Sequence, residues 1–368
     1  MFGNIEKYLK KNDIELCLDE CIKTKNFYLG LFIGTMHKKN TEKYFDLMKN
    51  LNFNISNTQS NNSMKLDNSI VTNTQSNNSM KYKTVKLLCN YTSTENLTEI
   101  YNKMSQDGNY TWNNIKLITK GDPDYYCVIN STVSNIDTKK TVVFRMEPNM
   151  AKNTYWGEWS NPEDSKFLKI LRHEKADYNN VEWHISKTYQ QLQKDIIQKD
   201  NNLNCVISTV LSDKYTDPGH MKRVDFVKFL DKKNENLVHV FGNNKFNYKN
   251  YKNSLPYHCK DNGLLPYKYH FNVENNDNVN YFTEKLIDGI LSECLVFYSG
   301  CYNVKQYIDE RAYVQLGLSN FENDYNIIQK AIEEDWYTQR LPYIKEAKKK
   351  ILNELQFFPR LEKILNLI

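Results

Sequence analysis

Charged side chains able to work on a phosphate stand at two helix starts in this chain. Glu284 and Lys285 lie in NYFTEKLIDGIL, and Arg223 lies in DPGHMKRVDF. Thr283-Glu284-Lys285 opens a helix whose first-turn amides carry partial positive charge, so Lys285 could add a full charge beside a phosphate. Arg223 follows the loop Ser212 to His220, at the start of a helix expected over Met221 to Leu230. Its planar fork suits paired oxygens better than a lysine does. Glu147, in VVFRMEPNM, ends an apolar strand, and Pro148 fixes the backbone after it. A carboxylate placed there can take a proton from an attacking hydroxyl, with Glu158 as its rival.

The segment Tyr267 to Gly300 shows how such residues are positioned. An apolar strand (Tyr269 to Val273) leads through a polar loop with Glu274, Asn275 and Asn276 to the helix at Thr283, then to a second apolar run, Cys294 to Tyr298. Strand–helix–strand crossovers of this kind are nearly always right-handed and parallel. Ligands in such sheets sit beyond the carboxyl ends of the strands, against helix N-termini. A phosphate-bearing ligand is the natural expectation. Each residue also has an ordinary reading: solvated surface for Glu284 and Lys285, a hydrophobic staple for Tyr281, turn backbone satisfied by Asn275, a loop cap for Glu147.

The order and spacing of Phe271, Glu274-Asn275, Tyr281-Phe282-Thr283-Glu284-Lys285 and Tyr298-Ser299-Gly300 resemble the donor-binding signature of the alpha-1,3-fucosyltransferase family. That resemblance implies an α/β fold of the GT-B type: two Rossmann-like domains facing a cleft, with a C-terminal helix crossing back to the first. It implies an inverting glycosyltransferase, with Glu284 on the ribose hydroxyls, Lys285 and Arg223 on the diphosphate, and Tyr281 against the base or ribose. The loop with Glu274 and Asn275 would line the donor sugar pocket, and Glu147 would activate the acceptor hydroxyl. Asn276 stands where the family usually has serine or threonine, and Ser299 where it usually has tryptophan. GDP-fucose is the best single guess for the donor, with another deoxyhexose or an N-acetylhexosamine nucleotide still open, and a saccharide or glycoconjugate as acceptor. No Asp-x-Asp pair follows a strand, so turnover without a metal or other cofactor is expected.

The chain as a whole sets limits. Its 368 residues suffice for two domains. The expected division is 1–199 on the acceptor side, 200–343 for the nucleotide sugar, and a helix in 344–368 packing back. A polar insert over about 54–82 repeats NTQSNNSMK at Asn57–Lys65 and Asn73–Lys81. It is too poor in large hydrophobics to offset its ordering entropy, and reads as a surface loop. A net charge of +5 spread along the chain argues against a nucleic-acid footprint. Several of the eight cysteines lie in apolar runs, as buried free thiols would, and Cys17 and Cys21 lack the partners of a zinc site. The charged N-terminus is no signal peptide, and no stretch approaches a membrane span, so a cytoplasmic protein, at most peripheral to a membrane, is expected. His184, His220 and His258 are scattered and read as structural. The missing Gly-x-Gly-x-x-Gly after the early strand disfavours a dinucleotide oxidoreductase. A carbohydrate-binding relic of the fold is the non-catalytic alternative.

Overall fold

The computed structural model describes residues 82–147, 157–175, 182–203, 205–234 and 236–367. These fall within one compact unit, Asn78–Ile368. The charged N-terminus, the expected early strand, the two NTQSNNSMK copies, Cys17 and Cys21 lie outside the described residues.

The first sheet is built from β1 (Lys83–Leu88), β2 (Thr111–Trp112), β3 (Ile115–Leu117), β4 (Tyr125–Ile129), β5 (Thr141–Phe144) and β6 (Lys169–Leu171), in the order β2-β3-β1-β4-β5-β6. Every pairing is parallel except that of β2 with β3. Alternate residues explain why these strands are apolar throughout. Val85, Leu87, Cys127, Ile129, Val142 and Phe144 face the main core, while Leu88, Val128, Val143 and Ile170 form a second cluster. A sheet covered on both faces needs both sets. Between β1 and β2 runs α1 (Thr94–Asn102), started by the Ser93 side chain accepting from the Asn96 amide, with Leu97 and Tyr101 buried.

The second sheet is entirely parallel, in the order β12-β11-β10-β7-β8-β9. Its strands are β7 (Ile207–Leu211), β8 (Val238–Gly242), β9 (Tyr251–Asn253), β10 (Tyr269–Val273), β11 (Leu295–Ser299) and β12 (Tyr313–Gln315). At its centre β10 and β11 are buried at every position. The polar exceptions are paired, with Ser208 Oγ 2.9 Å from Nδ1 of His270. Between Leu171 and Ile207 lies the short α2 (Tyr189–Lys194). After β7 comes α3 (Pro218–Lys233), and after β10 comes α4 (Glu284–Leu291).

Strand order locates the functional edge. From β7 the chain moves outward to β8 and β9, then returns to place β10 on the other side of β7. The first sheet does the same around β1, with β3 on one side and β4 on the other. Where strand order reverses, the loops beyond the carboxyl ends splay apart and leave a crevice. Both sheets therefore offer a crevice, at β1/β4 and at β7/β10.

Several expected elements shift. α3 begins at Pro218, one turn before Met221, because proline is preorganised for the first helical position. The stretch Val304 to Leu316, whose apolar spacing would suit a helix, does not form one. Two 3₁₀ turns, Val304–Gln306 and Glu310–Ala312, lead instead into β12, which pairs with the otherwise open edge of β11.

The C-terminal segment joins the two halves. α5 (Phe321–Glu333) is followed by α6 (Trp336–Lys350), a π turn (Ile351–Leu355) and α7 (Phe357–Asn366). α6 belongs to the second half: the Arg340 guanidinium donates to Tyr313 O at 3.2 Å, and Lys348 meets Glu293 at 2.7 Å in a buried pair. α7 belongs to the first. Phe357 meets Tyr101 edge-on at 4.9 Å, Phe358 stacks on Trp112 at 5.9 Å, and Trp112 Nε1 donates to Glu362 at 3.1 Å. The expected return of the C-terminal helix to the first half is thus present. Among the described residues no helix is long and apolar enough to cross a membrane.

Candidate active site

A cleft of about 1030 Å³ lies between the carboxyl ends of the two sheets. Asn90, Tyr91, Asn130 and Glu147 line it from the first sheet, and Ser212, Arg223, Asn275, Tyr281, Glu284 and Lys285 from the second. Residues from both strand-order reversals therefore share one cavity.

The wall on the second sheet is tightly fastened. α3 starts hard against the end of β10, where the Gly219 amide donates to Asn275 O at 3.0 Å. A Cβ on Gly219 would sit 1.7 Å from the Glu274 carbonyl oxygen, so only glycine permits this approach. One turn on, the Arg223 guanidinium donates to Val273 O at 3.1 Å, Asn275 Oδ1 at 3.3 Å and Ser212 Oγ at 3.3 Å. Arg223 is 5% exposed, has no carboxylate within ion-pair distance among the described residues, and keeps a buried Nε without an acceptor. Burial lowers its pKa against the pull of Glu274 and Glu284. A buried guanidinium with no counter-ion is costly unless something anionic arrives.

Lys285 is differently placed. It lies 3.0 Å from Glu284 and 3.6 Å from Glu274, and Glu284 in turn is 4.0 Å from Lys260. Burial would lower the Lys285 pKa, but Glu284 and Glu274 outweigh it and raise it. Burial would likewise raise Glu284, yet Lys285, Lys260 and His184 hold it well below the usual range. Both ions are therefore locked in the charged state.

Glu274 corrects the sequence reading. It is completely buried beneath the cleft wall rather than lining it, and accepts from the Thr283 amide at 2.8 Å and the Thr283 hydroxyl at 2.7 Å. Its position next to Gly300, where an added Cβ would approach Glu274 Cγ to 2.6 Å, explains the glycine that ends the motif. Glu274 thus fixes the start of α4. Asn275 does line the cleft and orients Arg223. Tyr281 is 2% exposed, with its ring edge-on to His173 at 5.0 Å.

The first-sheet wall is looser. Asn130, at a left-handed φ of 63°, accepts through Oδ1 from the Met146 amide at 2.8 Å and the Glu147 amide at 3.1 Å. This sets the backbone of Glu147, whose carboxylate has no ion pair among the described residues. Glu158 is exposed and outside the cleft lining, which removes it as a rival there. The two halves are tied by His173, whose ring nitrogens lie 3.0 Å from Asn280 O and 3.0 Å from Met146 O.

The histidines expected to be scattered are not. His184 Nε2 is 3.0 Å from Glu182 Oε1, and the His184 and His258 rings meet edge-on at 4.3 Å, all within the cleft lining. Burial and His184 push His258 down to about 4 despite Glu182. The sequence signal was Glu182-Trp183-His184, in which Trp183 is buried and its neighbours point the other way. Its partner lies over seventy residues further on, at a distance no spacing rule bridges. His220, also in the lining, is structural: its Nδ1 accepts from the Asp217 amide at 3.2 Å and caps α3.

No family model matches the chain, and no curated protein matches it. Among solved structures it is similar to an alpha1,3-fucosyltransferase with GDP, at 17% identity over 80% of this chain and 92% of that one, TM-score 0.46. It is also similar to a glycosyltransferase from Rickettsia africae, at 11% identity over 78% and 97%, TM-score 0.44. A third match is Anabaena Alr3699/HepE in complex with UDP-glucose, at 10% identity over 77% and 98%, TM-score 0.44. Likeness this distant assigns no residue a role. The chain's own two parallel sheets, shared cleft and returning C-terminal helix define an architecture of the GT-B type.

Proposed function

We propose that this protein is an inverting glycosyltransferase that moves a sugar from a nucleoside diphosphate to a saccharide hydroxyl. The observation that carries the reading is Arg223: a buried cation with no counter-ion among the described residues, one turn into α3, on the wall of a cleft set at a strand-order reversal. A departing diphosphate supplies the missing anion, and the amides of α3 and α4 add their partial charges. Lys285, already neutralised in contact, tunes and orders the site more than it holds free charge, and Glu284 beside it can accept from ribose hydroxyls. Glu147 takes the proton of the acceptor hydroxyl as its oxygen bonds to the anomeric carbon. The bond from that carbon to the diphosphate oxygen breaks with the electron pair leaving on the phosphate. Attack from the face opposite the nucleotide inverts the anomeric centre.

GDP-fucose is the first donor to try, since the resemblance carried by Phe271 to Gly300 implies it, with UDP-linked and other deoxyhexose donors beside it. Fixed cations rather than magnesium stabilise the leaving group. The test is a donor-hydrolysis screen across nucleotide sugars, repeated with Arg223→Ala. Release of nucleoside diphosphate from one donor, lost in the variant, is expected. Absence of both hydrolysis and nucleotide binding across the set would overturn the reading.

A further inference from the structure

In the lining of the same cleft, two imidazoles and a carboxylate converge. Glu182, His184 and His258 each offer one donor atom, and the three atoms lie within 4.8 Å of one another. Glu182 and His184 stand two apart in one stretch, on either side of the buried Trp183. That stretch is pinned from behind: the His184 amide donates to Asp288 Oδ1 at 2.7 Å, and the Lys260 amide donates to His184 O at 2.8 Å. His258 arrives on the paired stretch at a left-handed φ of 53°. Among the described residues neither of its ring nitrogens makes a hydrogen bond, and Nδ1 is buried.

A Glu–His hydrogen bond alone would account for Glu182 and His184. It does not account for a second imidazole held close by a strained backbone, giving up its own hydrogen bonds. Backbone in a sparsely populated region persists where the surroundings impose it, and such positions cluster at ligand clamps. Two donors each ~2.0 Å from a tetrahedral ion stand about 3.3 Å apart, and the 3.0 Å between Glu182 Oε1 and His184 Nε2 is close to that. A small contraction of His258 would complete the set.

We propose that Glu182, His184 and His258 form a binding site for a divalent transition-metal cation of the zinc class. Three protein ligands leave a fourth position open to the cleft, for water or an oxygen of a bound acceptor. Two nitrogens and one carboxylate select zinc, cobalt or nickel over magnesium and calcium, which prefer all-oxygen shells. The site is independent of the sugar-transfer reading, and its test reads metal binding and not turnover.

Metal-free full-length protein is titrated with Co²⁺ by absorption and with Zn²⁺ by calorimetry, and its melting temperature is measured with and without Zn²⁺. His258→Asn is the first variant, because asparagine tolerates the left-handed backbone and His258 holds no hydrogen bond to lose. Glu182→Gln is the second, and Cys259→Ser and the double change Cys17→Ser with Cys21→Ser are controls against thiolate binding. Expected are about one ion per chain, a cobalt spectrum without a thiolate charge-transfer band, a raised melting temperature, and binding at least about tenfold weaker in His258→Asn and Glu182→Gln but unchanged in the cysteine variants. No binding, a thiolate band, or affinity that survives His258→Asn and Glu182→Gln would overturn the proposal.

Discussion

The two walls of the cleft are built on different principles. The second-sheet wall is dense with fixed charge: Arg223 is held by three acceptors, and Glu274, Lys285, Glu284 and Lys260 form a continuous row of opposite charges. On the first-sheet wall Glu147 is a carboxylate with no ion partner among the described residues, its backbone set by Asn130. A rigid, prepaid arrangement suits a constant ligand part such as a nucleoside diphosphate. An open wall suits an acceptor that varies and a base whose carboxylate must stay available. Within the second-sheet wall the two cations also differ: among the described residues Lys285 sits between carboxylates and Arg223 does not.

The largest expected effect falls on Arg223. Arg223→Ala strands no carboxylate, so turnover should drop by about 10²–10³-fold while the melting temperature changes little. Lys285→Met should do the reverse. Leaving Glu274 and Glu284 without their cation should cost about 3 kcal/mol in a denaturant titration, a loss that would erase the contrast if Arg223→Ala matched it. Glu147→Gln should lower turnover by about 10²-fold and leave donor binding unchanged, and weakened nucleotide affinity would move Glu147 to the wrong wall.

Smaller effects sharpen the picture. His220 is pushed from 6.5 to about 4 by burial and by Arg223 beside it, so in the folded state it stays neutral and caps α3. The unfolded chain binds its proton first. Stability should therefore be complete above about 6.5 and fall by roughly 1.4 kcal/mol per pH unit between there and 4 for this group. His220→Asn should flatten that part of the curve, measured by urea titration at each pH. The smallest expected effect is none: omitting magnesium and manganese should leave turnover unchanged, and a requirement for either would hand the leaving group to a metal.

How far the sequence could be read follows the same division. The second-sheet wall lies within one strand–helix–strand unit, so Tyr269 to Val273, the cap at Thr283 and the strand near Leu295 were local in the chain and visible as pattern. Arg223 was visible too, because a loop after an apolar strand announces a helix start. Glu274 was misplaced because the resemblance puts its whole loop on the donor sugar, whereas Thr283 engages both its oxygens. Val304 to Leu316 carries helix-spaced apolar residues, but the unpaired edge of β11 outweighs that preference. Glu182, His184 and His258 could not be joined from sequence, since only the pairing of one stretch with another, through the Lys260 amide and His184 O, brings them together.

The central claim is that Arg223 is an anion site waiting for a diphosphate. Calorimetric titration of GDP, and of UDP beside it, into the wild-type protein and Arg223→Ala tests it most directly. The expected result is saturable binding of one nucleotide to the wild type, weakened by at least about tenfold in a variant with the same melting temperature. Equal affinity in the two proteins, or no nucleotide binding to either, would contradict it.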